Sequence, residues 1–132
     1  MKRILWIMAA VLTGILMLAG CTEEKKIRDL DAVVLSEEVL PKELKEIIDQ
    51  KKLQPFQLTY SDQKNLYICI GYGRQETGGY SIAMDELYLT DAAVHIKTTL
   101  IGPDTARQAK KTATCPYIVI KTEMAEQPVI FD

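Results

Sequence analysis

Residues 66–84, LYICIGYGRQETGGYSIAM, decide how this chain folds. The stretch opens on a clean alternation, with Leu66, Ile68, Ile70 and Tyr72 on one side and Tyr67 and Cys69 on the other. A period of two places successive side chains on opposite faces of a β-strand. A second alternation, Tyr80, Ile82 and Met84, closes it. Between them lie Gly71, Gly73, Gly78 and Gly79, with Arg74 and Glu76 among the glycines. Glycine takes positive φ without steric cost, so Gly78-Gly79 reads as the reversal of a hairpin. Tyr72 and Tyr80 would flank that turn, and Arg74 and Glu76 would project from its tip. Aromatic anchors beside an arginine make a recognition surface, and tyrosines that fill the rim of a core make a plain turn. The sequence is compatible with both.

A glycine-rich loop also raises phosphate binding. Gly73 to Gly78 has the spacing of the front of a P-loop, but Gly79 and Tyr80 stand where lysine and a hydroxyl residue should follow. Both the charge on the phosphates and the magnesium ligand are therefore missing. A strand pattern follows rather than a helix, so no helix N-terminus faces an anion. No nucleotide and no cofactor are expected. His95 is the single histidine and falls on the polar side of a strand, where a solvated surface residue is expected. Cys69 and Cys115 have no close Cys/His spacing, so no metal site is expected. Cys69 and His95 are the one nucleophile–base pair that can be drawn, yet a thiol in mid-strand reads as packing. Asp85 and Glu86 are adjacent, which on a regular strand points them to opposite faces.

Working outward, SEEVLPKELKEIIDQKKLQPF carries a helix over roughly Lys42 to Lys52. Pro41 suits its first turn, Leu44, Ile47 and Ile48 share a face with Leu40 behind, and Pro55 stops the pattern. Ala32 to Leu35 reads as a first edge strand. After Met84 the alternation slips at Asp85-Glu86, because Leu87 and Leu89 are out of phase, and a bulge is predicted. Thr90-Asp91-Ala92 is a turn. Val94, Ile96 and Leu100 then point in and His95 and Lys97 out, up to Gly102-Pro103-Asp104. Residues 104–114 read as a loop, PYIVIKTE as a strand and VIF as a last short strand. The fold class is α+β, mostly antiparallel β, a small twisted sheet or partly open barrel of about six strands joined mostly as hairpins, with one packed amphipathic helix.

The N-terminus is a different kind of sequence. Lys2 and Arg3 precede an apolar run from Ile4 to Leu18, and Leu18-Ala19-Gly20-Cys21 follows. A basic start, an apolar run and a small-residue cleavage site make a secretory signal. The ending resembles the lipobox of bacterial lipoproteins, which implies a signal peptide over 1–20 and diacylglycerol on Cys21. Residues 21–31 then form a polar tether and 32–132 a single domain. The expected location is the extracytoplasmic face of the cell membrane, with the lipid as membrane partner. Loss of Lys2 and Arg3 leaves a net charge of −4. No basic patch stands out, so nucleic acid is excluded as a partner. Outside the cell Cys69 and Cys115 are either a disulfide or two small packing residues.

The segment from the glycines onward resembles a known family. Gly73, Thr77-Gly78-Gly79-Tyr80, Ser81-Ile82, Pro103 and Pro116-Tyr117 leading into Ile118-Val119-Ile120-Lys121 are similar to the C-terminal domain of the protease complex subunit PrcB family. The resemblance spans about residues 65 to 131. It implies a non-enzymatic accessory protein that stabilises or anchors a secreted or surface protease. Tyr72, Arg74, Glu76, Thr77, Gly78, Gly79 and Tyr80 would be the partner contacts. The competing expectation is an envelope lipoprotein that binds a cell-wall or peptide ligand with no protease involved.

Overall fold

A computed structural model of the chain describes residues 25–104 and 111–132. The expected signal peptide, Cys21 and the first residues of the expected tether lie outside the described residues, as does the part of the expected loop at 105–110. The described residues hold β1 (Lys26–Asp29) and β2 (Ala32–Val34), then a 3-10 turn at Glu37–Val39 and helix α1 (Lys42–Lys51). Strands β3 (Pro55–Ser61), β4 (Asn65–Tyr72), β5 (Ser81–Thr90), β6 (Val94–Ile101), β7 (Tyr117–Glu123) and β8 (Val129–Phe131) follow. They form two four-stranded sheets, ordered β1-β5-β6-β8 and β2-β7-β4-β3. All pairings are antiparallel except β6 with β8. The fold is α+β and mostly antiparallel, with two separate sheets rather than a barrel.

The alternation of β4 explains the layering. Leu66, Ile68 and Ile70 point toward the first sheet and pack with Leu87, Val94, Ile96, Ile118 and Ile120. Tyr67 and Cys69 point the other way and pack with Val119, Leu44 and Ile48. Both faces of β4 are buried, one under the facing sheet and one under α1. Leu44 and Ile48 sit four residues apart on one helix face and are fully buried. Each such aliphatic side chain contributes about 1.5–3 kcal/mol on burial.

Two expectations change, one unread strand is added and one open alternative closes. Lys26–Asp29, read from its polarity as tether, is an edge strand that pairs with Tyr88, Leu89 and Thr90. PFQLTYS is strand β3, paired without interruption from Pro55↔Tyr72 to Ser61↔Leu66; Pro55 ends the helical pattern but opens a strand, since β4 supplies its partner. The glycine segment is not a hairpin. β4 and β5 belong to different sheets, so residues 73–80 carry the chain from one sheet across to the other. Cys69 and Cys115 are both free. Cys69 is opposite Val119, whereas Cys115 lies four residues earlier, so roughly 13 Å of strand separates them, beyond the reach of a disulfide. The bulge is where the slipped alternation places it, between Met84 and Glu86. The turn after β5 is held by Thr90, whose Oγ1 accepts the N–H groups of Ala92 and Ala93 and donates to the Ala93 carbonyl.

The β3–β4 hairpin has two local supports. Gly71 lies opposite Phe56, and a Cβ on Gly71 would stand 2.1 Å from the Phe56 ring. The ring therefore occupies the space a side chain would take. At the turn, Asp62 Oδ1 accepts the N–H groups of Lys64 and Asn65, and Oδ2 accepts the Tyr67 hydroxyl. These donors, the backbone N–H groups first, hold the Asp62 carboxyl below its usual range.

Gly71→Ala is expected to destabilise the fold by about 1–3 kcal/mol through overpacking, read as a lowered thermal midpoint. Adding Phe56→Ala should make the Gly71→Ala penalty disappear, because the clash is with that ring. A second expectation concerns acid. A carboxyl whose folded pKa is lowered stabilises the fold above its unfolded value, about 3.9, and loses that effect as pH falls through the folded value. Asp62→Ala should therefore melt lower than the parent at pH 7, with the gap closing at pH 2–3; a gap that stays constant would contradict the assignment.

Candidate functional site

The glycine segment is the first candidate because the sequence singles it out. Its backbone is tied down at several points. The Arg74 N–H donates to the Leu53 carbonyl, and Gln75 and Thr114 exchange backbone hydrogen bonds of 2.7 and 3.0 Å. Thr114 Oγ1 donates to the Thr77 carbonyl and Gln75 Nε2 to the Tyr72 carbonyl. Positive φ occurs at Gly73 and Gly79, not at Gly78. At Gly73 the need for glycine is double, since a Cβ there would also meet Pro55 Cδ at 2.9 Å.

The seven residues expected as partner contacts separate into two groups. Tyr72 turns inward. It packs at the edge of the inter-sheet core, and its hydroxyl bonds Thr98 Oγ1 at 2.6 Å, joining β4 to β6 across the sandwich. Gly78 is buried, Thr77 and Tyr80 are half-buried, and Tyr80 approaches Gly102. Arg74, Glu76 and Gly79 are exposed. The segment thus presents Arg74 and Glu76, beside Leu53, which is 62% exposed.

A second feature went unread in the sequence. Strand β3 is one of the two edges of its sheet. Phe56, Leu58 and Tyr60 pack toward the helix layer, while Pro55, Gln57, Thr59 and Ser61 are exposed. A cleft of about 410 Å³ opens beside this edge, between the sheets, lined by Gln57, Ile70, Tyr72, Ile96, Thr98 and Phe131 among others. The alternation of Phe56, Leu58 and Tyr60 was the available signal; Pro55 masked it.

The outer face of the other sheet carries the titratable groups. A groove of about 760 Å³ is lined by Lys26, Asp29, Asp85, Glu86, Tyr88 and His95 among others. His95 points outward as expected, but it is packed rather than solvated, with 13% of its side chain exposed. Its ring stacks on Tyr88 with centroids 4.9 Å apart, and Nδ1 lies 3.0 Å from Asp132 Oδ2. Lys26 Nζ sits 5.6 Å over the Tyr88 ring and pairs with Asp29. Asp85 and Glu86 both line this groove, because the bulge cancels the alternation that would have separated them. Thr99 Oγ1 donates to Asp85. Among the described residues no three His, Cys, Asp or Glu side chains gather as metal ligands.

The drawn pairing of Cys69 with His95 fails on geometry. Cys69 faces α1 from the far side of its sheet, and His95 faces outward from the opposite sheet. Two packed sheets are about 10 Å apart before either side chain is counted. Burial pushes the Cys69 thiol up to about 12, so it is not a thiolate at neutral pH. Native protein at pH 8 is expected to be alkylated by iodoacetamide at Cys115, which is half-exposed, with Cys69 modified only after denaturation. Rapid native labelling of Cys69, mapped by peptide mass, would contradict this burial.

No curated protein and no solved structure matched the chain. A family model did. It covers residues 66–123, which hold β4, β5, β6 and β7, the inner strands of both sheets, together with the glycine crossover. That range matches the model described as PrcB C-terminal, so residues 66–123 are similar to that domain.

Proposed function

We propose that the protein is a non-enzymatic accessory subunit, lipid-anchored through Cys21 at the extracytoplasmic face of the membrane, that stabilises or anchors a secreted or surface protease. The observation that carries this reading is the PrcB C-terminal match over the central strands, a family named for a subunit of a protease complex. The chemistry of the chain agrees with it. The single histidine is engaged by Tyr88 and Asp132, and the buried thiol lies in another layer of the fold. The lipobox-like Leu18-Ala19-Gly20-Cys21 supplies the anchor, and acyl chains contribute about 0.8 kcal/mol per buried methylene.

The test is a cross-linking capture from intact cells, with a tag on a flexible linker after Asp132 and mass spectrometry of the detergent extract. A protease as the dominant co-eluting protein is expected. Cys21→Ser should move the tagged chain from the membrane to the soluble fraction. Capture of wall components with no protease, under conditions where proteases are secreted, would replace the accessory role with that of an envelope-binding lipoprotein.

A further inference from the structure

The four edge strands of the sandwich are not alike. β1 is four residues long, carries Lys26, Arg28 and Asp29, and has a register shift against β5. β2 and β8 are three residues each. Short length, charge and irregularity are the devices that keep sheet edges from pairing with other chains. β3 has none of them along its length. Its seven residues, PFQLTYS, hold no charge and keep one register with β4 from end to end. Proline stands only at its first position. At about 3.3 Å per residue it offers an edge of roughly 23 Å.

The direction of its free backbone groups follows from the ladder. The Asp62 N–H donates to the Asn65 carbonyl, so the pair 62:65 is hydrogen-bonded. Antiparallel pairs alternate, which makes 60:67, 58:69 and 56:71 the bonded pairs. The Tyr72 N–H agrees, since it turns away from Pro55 to the Pro116 carbonyl. Gln57, Thr59 and Ser61 therefore direct both N–H and C=O away from the sheet, into solvent.

We infer that β3 is a strand-addition site for an extended peptide segment of a partner protein. An added strand would alternate its side chains between two prepared faces. One set meets the inter-sheet cleft of about 410 Å³, where Ile70, Ile96 and Phe131 favour an apolar side chain. The other set continues the half-buried row of Phe56, Leu58 and Tyr60. Where β3 begins, exposed Leu53 is flanked by charges of both signs, Lys51 and Arg74 with Glu76, so this end selects no charge. The recognised chemistry is an extended, uncharged strand with alternate apolar residues. Main-chain pairing supplies the affinity, and the cleft supplies the selection. That the occupant is a protein segment rests on the accessory reading above; the free edge does not.

The test uses the full chain in detergent, isotope-labelled, with a synthetic peptide acetyl-Ser-Val-Thr-Val-Ser-Val-amide as probe. Saturable binding is expected, with hydrogen exchange at Gln57, Thr59 and Ser61 slowed by about tenfold or more, as amides newly bonded in a ladder are. Thr59→Pro removes an outward N–H and no ladder bond, which an edge strand tolerates. It should keep the parent's circular dichroism and melt yet weaken binding at least about tenfold, since proline on an edge blocks further pairing. Gln57→Lys should weaken binding also, by placing a charge on the bare edge. Unchanged binding in folded Thr59→Pro, no slowing at the three amides, or pairing of β3 with a second copy instead would each overturn the inference. Protease captured equally by the parent and Thr59→Pro would overturn it while leaving the accessory reading in place. Peptide bound at β3 with no protease captured would do the reverse.

Discussion

The structure depends on the burial of strand β4 on both faces. A strand covered on one side by a sheet and on the other by a helix has no polar face, and LYICI has none. Its position is fixed by pairing as well, with β3 on one side and β7 on the other. Everything else takes its place from these four constraints. α1 needs only Leu44 and Ile48 in register with Tyr67 and Cys69 to close the outer layer. The facing sheet needs only to present Leu87, Val94 and Ile96. Where β4 ends, the Tyr72 hydroxyl reaches Thr98 and ties the two sheets together at their open side.

The same geometry explains what the sequence conveyed and what it did not. Period and phase are local, so they were legible. α1, the alternation of β4 and β6, the bulge at Asp85 and the turn at Thr90 all follow from neighbours within a few residues. Sheet membership is not local. Gly78-Gly79 signals a change of direction but does not say which sheet the next strand joins, and the hairpin reading assumed the nearer one. The crossover is set instead by Gln75 pairing with Thr114, a contact nearly forty residues apart in the chain. Polarity misled at Lys26–Asp29, because an edge strand can expose every side chain and still bond its backbone to β5.

The candidate site was legible in part for the same reason. Residue type picks out tyrosines, an arginine and glycines at 72–80, but only the fold says that Tyr72 works inward as a clasp while Arg74 faces solvent. Asp85 and Glu86 show the converse. The bulge was predicted, but its consequence, both acids on one face, was not carried through. His95 likewise points where the alternation sends it, yet Tyr88 and Asp132 cover it from parts of the chain that its neighbours do not reveal.

The boundaries of the family match acquire a physical meaning on this fold. Residues 66–123 contain the inner strands of both sheets, and β1, β2, β3, β8 and α1 all fall outside. Inner strands must satisfy a neighbour on each side and a core across the sandwich, so their sequence answers to many contacts at once. An edge strand answers to one neighbour, and its outer backbone groups are left to water or to another chain. Framework and contact edge are then different stretches of this chain. β4 and β7 hold the sheet in place, and Gly71, by leaving room for the Phe56 ring, holds β3 against it. The family pattern accounts for how the edge is supported; what the edge receives is decided by PFQLTYS and the cleft beside it, which that pattern does not include.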